Sequence, residues 1–393
     1  MSGLRISDSL VIEQSDEHRA LRDTVADIVS GYGRQYFQQK AKAGGFPDEL
    51  WKELGESGLI GVNIDEEYGG GGAGMTELAI VLEELAANGC PMQMIVVSPT
   101  ICGSVIQAHG SDEQRQEWLP SIASGEKKMA FAITEPDAGT NTHNISTTAY
   151  RTESGWRLSG AKYWTSGVDE SVAVLVVAKD AELSTPEKSV VSMFIVPTNA
   201  PGFRKTVIDS ALRAPERQFF TFYDDVELPE TAIIGERGGG LKQLFAGLNP
   251  ERVAAAAVAN GIAMYALKQA SQYANERVVW KTPIGAHQGV AHPLAKAYVD
   301  LQQARMLTFR AAELVDRGLD AGEVANMAKL AAADASLLSL DQAMQTHGGN
   351  GLSDDYGLSD LWFTARMLKT APVSREMILN FVAQHSLKLP KSY

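Results

Sequence analysis

A change in residue pattern near position 129, which is reversed near position 235, constrains the fold of this 393-residue chain most strongly. Before the first change, apolar residues recur at helical spacing, as Leu78, Val81 and Leu82 do. Between the two changes lie short β-rich runs, such as M-A-F-A-I-T and V-A-V-L-V-V-A, which are separated by Gly, Pro and Ser. Beyond Gly240 the chain is again helical and rich in Ala.

This order of patterns predicts an α+β protein with three domains. The spacing of the β-rich runs favours a small antiparallel barrel or sandwich in the middle. The expected domains are a helical domain at residues 1–128, a β-barrel domain at residues 129–235 and a helical bundle at residues 236–393.

Composition limits the possible partners. A net charge of −13 and a pI near 5.1 argue against nucleic acid and against anionic lipid, because both bind clustered Lys and Arg. The two cysteines, Cys90 and Cys102, lack metal-ligand spacing, and the seven histidines form no metal motif. No run approaches the roughly 18 apolar residues of a membrane span, and the first residues form no apolar targeting segment. We therefore expect a cytoplasmic protein without a metal site or membrane association.

A polar corner follows the first β-rich run, in the stretch F-A-I-T-E-P-D-A-G-T-N that begins at Phe131. About twenty residues later, G-A-K-Y-W-T-S-G places Trp164 beside two hydroxyls, Thr165 and Ser166. Backbone N–H groups and short hydroxyls can bind the edge of a planar ring system while an aromatic side chain covers its face. The two segments together indicate a binding site for such a ring system.

These two segments resemble the flavin-binding signature of acyl-CoA dehydrogenases, and the resemblance extends along nearly the whole chain. It implies that family's fold, with an N-terminal helical domain, a middle β-barrel and a C-terminal four-helix bundle, and it implies FAD as the cofactor. The flavin contacts that it implies are Phe131, Ile133, Thr134, Trp164, Thr165 and Ser166, with Thr140 near both the cofactor and the acyl-CoA.

Three later segments resemble family motifs that bind FAD. E-R-V-V-W-K-T-P-I-G-A-H-Q is similar to R-x-x-F-G…Q, although Lys281 replaces the usual Gly, and Q-T-H-G-G-N-G reproduces Q-x-x-G-G-x-G. In the family both of these motifs contact the FAD of a neighbouring subunit, which implies a homo-oligomer of at least two chains, usually four. The implied cofactor contacts are Arg277, Trp280 and Gln288 in the first motif, Gln345, Gly348 and Gly349 in the second, and Ser374 and Glu376 at the adenine end.

The catalytic base of the family is a Glu that removes the α-proton of the acyl thioester. Many members place it in a Y-E-G-T motif, where this chain has Pro372. Isovaleryl-CoA and long-chain acyl-CoA dehydrogenases place it on a helix before an Arg, and Glu251-Arg252 in G-L-N-P-E-R-V matches that arrangement. Residue types alone allow another interpretation, in which Asn249 caps a helix and Glu251 is an acid in its first turn. We expect Glu251 to be the base, with Asn249 and Arg252 near the substrate.

Pro372 has a second consequence, because proline has no backbone N–H. In relatives an N–H near this position binds the thioester carbonyl, and one such donor typically contributes about 3–4 kcal/mol. Either a neighbouring amide, such as that of Val373, replaces it or the carbonyl site is altered.

The resemblance implies an FAD-dependent acyl-CoA dehydrogenase that forms a trans-2-enoyl-CoA. The α-proton would go to Glu251, the β-hydride to flavin N5, and the electrons to an electron-transferring flavoprotein. Alternatives are an acyl-CoA oxidase or flavin monooxygenase of the same fold, and a non-catalytic acyl-CoA-binding or scaffold protein, which the loss of the usual Glu at Pro372 keeps open.

Overall fold

The computed structural model describes residues 15–391, and the first part of this range is helical. The Ser15 side chain accepts a hydrogen bond from the His18 N–H and so caps the first helix. A π-helical segment, Val96–Gly103, joins the fifth and sixth helices. The helices are α1 (Asp16–Ser30), α2 (Gly33–Ala43), α3 (Asp48–Glu56), α4 (Met75–Ala87), α5 (Gln93–Ile95), α6 (Ser104–His109) and α7 (Asp112–Ala123).

The middle part forms an eight-stranded sheet. Its strands are β1 (Met129–Ala132), β2 (Thr148–Arg151), β3 (Gly155–Ser166), β4 (Ala173–Asp180), β5 (Val191–Pro197), β6 (Phe203–Val207), β7 (Gln218–Pro229) and β8 (Ile233–Ile234). Pairing follows the order β6-β7-β3-β2-β4-β5-β8, and β1 pairs with β4 outside this path.

The expectation of a purely antiparallel sheet is wrong for two pairings. Strands β1 and β2 both run parallel to β4, with Met129 opposite Ala173 and Thr148 opposite Lys179. The segment between β1 and β2 leaves the sheet and returns to it, so both strands run in the same direction beside β4.

The last part is again helical, as predicted. Its elements are α8 (Gly240–Glu276), β9 (Val278–Val279), β10 (Thr282–Pro283), α9 (Gln288–Asp316), α10 (Gly322–His347), α11 (Leu361–Thr370) and α12 (Arg375–Phe381). Helices α8, α9 and α10 pack on one another and α4 packs on α8 and α9. Within residues 15–391, no helix combines the length and apolarity needed to cross a membrane.

Helix α8 is longer than the sequence indicated. It begins at Gly240 and continues through Pro250, so the interpretation of Asn249 as a helix cap is wrong. Proline inside a helix removes one backbone hydrogen bond, but the buried apolar stretch that follows keeps the helix continuous. Glu251 therefore lies inside a long helix and not in a first turn.

The middle of α8 is fixed by close packing and by a buried ion pair. A Cβ atom on Gly261 would lie 2.3 Å from the Glu83 carbonyl oxygen, so only glycine permits this approach of α8 to α4. The Glu83 carboxylate is fully buried and accepts hydrogen bonds from Arg305 at 3.0 and 2.8 Å. Burial alone would raise the pKa of Glu83, but Arg305 and Arg22 outweigh burial and lower it. These contacts join α1, α4, α8 and α9.

A second buried pair fixes the corner that follows β1. Lys162 is fully buried on β3, and its Nζ atom donates at 2.9 Å to the Ile133 carbonyl and to Glu135 Oε1. Glu135 also accepts from the N–H groups of Ser146 and Thr147 at 2.6 and 2.9 Å. Burial alone would raise the pKa of Glu135, but Lys162 and these hydrogen bonds lower it to about 2.

We predict that Lys162→Met lowers the free energy of unfolding by about 3–5 kcal/mol, because it leaves the buried Glu135 carboxylate without its cation. The measurement is the midpoint of urea unfolding. Lys188→Met is the matched control, since Lys188 is exposed and its side chain makes no hydrogen bond within the described residues. Its effect should stay within about 0.5 kcal/mol. Equal effects of the two substitutions would contradict the prediction.

Candidate active site

A cavity of about 100 Å³ lies between the N-terminal helices, the sheet and the last helices. Its wall includes two acids, Glu216 and Glu251. The remaining wall residues are Gln93, Val96 and Val97 from the α5 region, Ser166 at the end of β3, Leu212, Ala214 and Gln218 around the start of β7, Ala255 of α8, and Thr364, Met367, Leu368, Ala371 and Pro372 around α11.

Glu251 is the acid that α8 contributes to this cavity. Its side chain is partly exposed, and its carboxyl accepts no hydrogen bond within residues 15–391. Desolvation by the surrounding protein raises the pKa of Glu251 to about 7, although the nearby Arg252 and Lys329 act in the opposite direction. A carboxylate with this pKa can accept a proton near neutral pH, as a general base must.

Lys329 supports the cavity from α10. The residue is 2% exposed, and its Nζ atom donates to the Val373 carbonyl at 2.6 Å. Burial lowers the pKa of Lys329 to about 8, and the negative charge of Glu251 opposes that shift. Lys329 thus fixes the turn after Pro372 and places a positive charge near Glu251.

Asn249 and Arg252 form a hydrogen-bonded pair on α8. Arg252 Nη1 donates to Asn249 Oδ1 at 2.6 Å, and the guanidinium lies 5.8 Å from the centre of the Phe245 ring. Burial lowers the pKa of Arg252, while Glu251 raises it. Neither Asn249 nor Arg252 contributes to the cavity wall. Their predicted role in substrate binding stays a prediction.

The polar corner lies at the end of β1. Phe131 and Ile133 are partly buried and pack against the apolar core between the sheet and helices α6 and α7. The Thr134 carbonyl accepts a hydrogen bond from the Tyr163 N–H at 2.8 Å, which ties the corner to β3. The two sequence segments that pointed to one site are therefore neighbours in the fold.

The three predicted flavin contacts at the end of β3, Trp164, Thr165 and Ser166, differ in their exposure and direction. Trp164 has a positive φ of 60° at an irregularity in the pairing of β3 with β7, and its side chain is 44% exposed. Ser166 lines the cavity and its Oγ donates to Gln218 Oε1 at 2.9 Å. Thr165 is fully buried and lies 3.4 Å from the Thr221 hydroxyl, so its side chain faces the interior of the sheet domain.

Arg277, Trp280 and Gln288 lie on the surface around the β9–β10 hairpin. Trp280 is 93% exposed, and its backbone has a positive φ of 61°. Within residues 15–391 the Arg277 side chain forms neither a hydrogen bond nor an ion pair. The described residues of a single chain therefore give no structural reason for these three side chains.

The segment after α10 is also exposed at Gln345, Gly348 and Gly349. Gly348 ends the helix with a φ of +60°, which favours glycine. A Cβ atom on Gly349 would meet no atom within 4 Å, and the φ of Gly349 is not positive. Nothing in the described part of the chain requires glycine at position 349.

Three further predicted residues lie outside the cavity. Thr140 is exposed in the loop after the polar corner. Ser374 caps α12 by accepting a hydrogen bond from the Met377 N–H at 3.3 Å, and Glu376 is exposed in the first turn of that helix. Their roles toward FAD or substrate stay predictions.

The residues present fit a flavin. Ser166 offers a hydroxyl at the cavity wall, and on the same strand end the exposed Trp164 ring offers an aromatic face, with Thr134 on the neighbouring corner. Arg277 is free to bind a phosphate, and the open space at Gly349 permits close approach of another molecule to the backbone.

Sequence reasoning did not identify Gln93, Glu216 or Lys329. Lys329 had a detectable signal, because it interrupts the apolar face of α10 among Ala325, Ala328 and Ala332. Gln93 and Glu216 gave no such signal, since they come together only through the packing of α5 on the segment before β7.

Models of one protein family match almost the whole chain. The acyl-CoA dehydrogenase N-terminal domain matches residues 15–126, the middle domain residues 130–215 and the C-terminal domain residues 238–387. Together with the fold and the site, these matches define a flavin-dependent oxidoreductase.

Known proteins support the same assignment. Acyl-CoA dehydrogenase FadE12 of Mycobacterium tuberculosis (strain ATCC 25618 / H37Rv) is 52% identical over 99% of this chain and 100% of its own length. The mitochondrial short-chain specific acyl-CoA dehydrogenase of Bos taurus is 32% identical over 97% of this chain and 92% of its own. The structure is also similar to a glutaryl-CoA dehydrogenase from Mycobacterium smegmatis in complex with FADH2, with a TM-score of 0.90 and 25% identity over 98% of this chain and 97% of that chain.

The chain belongs to the acyl-CoA dehydrogenase family, and it is an oxidoreductase of that type. The predicted fold class is confirmed, and the neighbour that contains FADH2 supports FAD as the flavin.

We predict that flavin reduction by acyl-CoA rises with pH through about 7, because Glu251 must be ionised to accept a proton. Lys329→Met should move this rise upward by about one pH unit, since it removes a charge that lowers the pKa of Glu251. The measurement is the stopped-flow rate of anaerobic flavin bleaching against pH. In the control, Lys369→Met, the lost lysine pairs with Asp334 at the surface, and the profile should not move. Superimposable profiles for Lys329→Met and the wild-type protein would count against this electrostatic role.

Proposed function

We propose that this protein is an FAD-dependent acyl-CoA dehydrogenase in which Glu251 removes the α-proton and the product is a trans-2-enoyl-CoA. One observation supports this most directly. The Glu251 carboxyl lines the same cavity as Ser166, accepts no hydrogen bond within the described residues and has a pKa near 7. A partly exposed acid with these properties is poised for proton transfer.

The position of Pro372 supports the choice of base. Pro372 and Glu251 both line the cavity, so the two places where the family carries its base lie around one space. Only the place on α8 has a carboxyl group. A carboxylate at either place would reach the α-proton of the same acyl group. Glu251 therefore replaces the Glu that other family members carry at the position of Pro372.

The bound thioester needs a donor for its carbonyl oxygen. We assign this role to the Val373 N–H, which follows directly after the wall residue Pro372 and donates no hydrogen bond within the described residues. Lys329 holds the adjacent carbonyl and so limits movement of this turn. A fixed N–H directed at the carbonyl would stabilise the negative charge that develops as the α-proton leaves.

FAD, when bound, supplies the hydride acceptor. The groups of this chain that we assign to it are the Trp164 ring, the polar corner at Thr134, and Ser166, which Gln218 orients. Ser374 and Glu376 are assigned to the adenine end, and Arg252 with Asn249 to the CoA moiety.

We further propose that a second copy of this chain completes each flavin site, within a dimer or a tetramer. Arg277, Trp280, Gln288, Gln345 and Gly349 are exposed in the single chain, and Arg277 has no intrachain partner in the described range. A guanidinium without a partner suits a pyrophosphate. Residues that serve the cofactor of a neighbour would show this exposure.

The substrate that we propose is a short acyl-CoA. The cavity is small, about 100 Å³, and the 32% identical bovine relative is named short-chain specific. We propose an electron-transferring flavoprotein as electron acceptor. In a test with reduced protein, slow reoxidation of the flavin by air would support a dehydrogenase, and rapid peroxide formation would indicate an oxidase.

We predict that Glu251→Gln retains FAD but slows anaerobic flavin bleaching by butyryl-CoA about 10²–10⁴-fold, because the general base is lost. α-Proton exchange with solvent should disappear in parallel. Glu276→Gln is the matched control, because Glu276 is exposed on the same helix. Wild-type bleaching by Glu251→Gln would falsify the assignment of the base. Colourless protein that binds no FAD on reconstitution would instead favour a non-catalytic role.

We also predict that two inactive variants restore each other when they share an oligomer. Glu251→Gln lacks the base, and Arg277→Gln lacks the proposed phosphate ligand, so each alone should be inactive or poor in FAD. Co-expressed chains that pair at random should have about a quarter of their sites intact, because half of the dimers are mixed and each mixed dimer has one complete site. Flavin content and bleaching are the measurements. Absence of recovery in a verified mixed oligomer would show that both residues serve the same site within one chain.

A further inference from the structure

The cavity contains a polar region that proton removal does not use. Glu216, just before β7, is 2% exposed and lines the cavity. One oxygen of its carboxyl, Oε1, accepts from the Met94 N–H at 3.0 Å. The other, Oε2, is buried and has no hydrogen-bond partner within the described residues. A buried acceptor without a partner is unfavourable unless a bound group donates a hydrogen bond to it.

A second polar atom without a partner lies in the same wall. Gln93 is 9% exposed, and its amide nitrogen Nε2 is buried without a hydrogen-bond acceptor in the described part of the chain. The backbone N–H groups of Gln93 and Met94 both interact with the Glu216 carboxyl, so the two side chains belong to one region of the cavity. An unsatisfied acceptor and an unsatisfied donor therefore occur together.

Among residues 15–391, no cationic side chain forms an ion pair with Glu216. Burial raises the pKa of its carboxyl to about 7, the hydrogen bonds from Met94 and Gln93 limit that rise, and Asp169 adds to it. A substrate carboxylate placed here would meet an acid without a compensating positive charge. The region suits a neutral group that can both donate and accept a hydrogen bond, and a hydroxyl is the smallest such group.

We propose that Glu216 and Gln93 determine specificity by binding a hydroxyl group on a short acyl chain, beyond the bond that is oxidised. The hydroxyl donates to Glu216 Oε2 and accepts from Gln93 Nε2. The acyl-CoA substrate class is thus a short hydroxyacyl thioester, and the plain hydrocarbon analogue leaves both protein groups unsatisfied. This inference rests on the proposed function, because it assumes that the cavity holds the acyl group.

The discrimination follows from general energetics. Sites that hydrogen-bond a substrate hydroxyl reject the analogue without it far more strongly than apolar pockets distinguish a methylene. With two buried partners, we expect kcat/KM for a hydroxyacyl-CoA to exceed that for its hydrocarbon analogue at least about tenfold.

The experiment compares two pairs of substrates, butyryl-CoA with 4-hydroxybutyryl-CoA and valeryl-CoA with 5-hydroxyvaleryl-CoA, by anaerobic flavin bleaching. The wild-type protein should prefer the hydroxylated member of at least one pair. Glu216→Leu and Gln93→Leu should each reduce or reverse that preference, and Glu216→Gln, which keeps an acceptor, should retain part of it. Glutaryl-CoA should be a poor substrate.

A binding measurement separates specificity from chemistry. In the Glu251→Gln background, calorimetric Kd values for the same pairs should show the same preference, and Glu216→Leu should remove it. FAD content and the flavin absorption spectrum should not change in Glu216→Leu or Gln93→Leu. If Glu216→Leu does not fold, Gln93→Leu provides the same comparison.

The outcomes are distinct. Equal kcat/KM values within both pairs, a preference for glutaryl-CoA, or loss of FAD from either Leu variant would each overturn this inference. Failure of every acyl-CoA to bleach the wild-type flavin would instead overturn the proposed function.

Discussion

The fixed position of helix α8 is the constraint on which the candidate site depends. Glu251 can face the cavity only if α8 keeps its position along its axis and its rotation about that axis. The contact of Gly261 with the backbone of α4 restricts both. The buried Glu83–Arg305 pair holds the same crossing from the side of α9. Loss of Arg305 or Arg22 would leave the buried Glu83 carboxylate with one cation fewer, so the arrangement permits little adjustment. A rigid support of this kind is what a base needs if it is to lie beside one carbon atom of a substrate.

The cavity places two acids where acids are unfavourable. For Glu216 and Glu251 the folded chain raises the pKa to about 7, so between roughly pH 4.5 and 7 the folded state binds more protons than the unfolded state. The free energy of unfolding consequently falls as pH rises through that window, in contrast to Glu135, whose lowered pKa acts in the opposite sense. Acids with a raised pKa lower the stability of a fold near neutral pH. Two of them in one cavity are typical of a functional site.

Sequence reasoning brought together the two segments that we assign to the flavin because the information in each segment is local. The polar corner at Thr134 and the W-T-S segment each occupy one strand end, and only one hydrogen bond, from Tyr163 to Thr134, was needed to bring them together. The assignment of Glu251 depended on comparing two family positions, and the packing of α8 then ruled out Asn249 as a cap. Gln93, Glu216 and Lys329 escaped notice because their environment arises from contacts between distant segments. The three domain boundaries and the roles of individual site residues stay predictions.

The residues that the single chain leaves unexplained are as informative as those it explains. Gly349 has open space where a side chain would stand, Trp280 is almost fully exposed, and Arg277 lacks a partner within residues 15–391. An exposed tryptophan, an arginine without a partner in this range and a glycine that the fold does not require contribute little to the stability of an isolated chain. If a neighbouring copy brings a pyrophosphate to this surface, all three gain a physical reason, because the backbone can approach closely, the guanidinium pairs with phosphate and the indole is covered. The flavin site is then shared between chains, which ties cofactor retention to assembly.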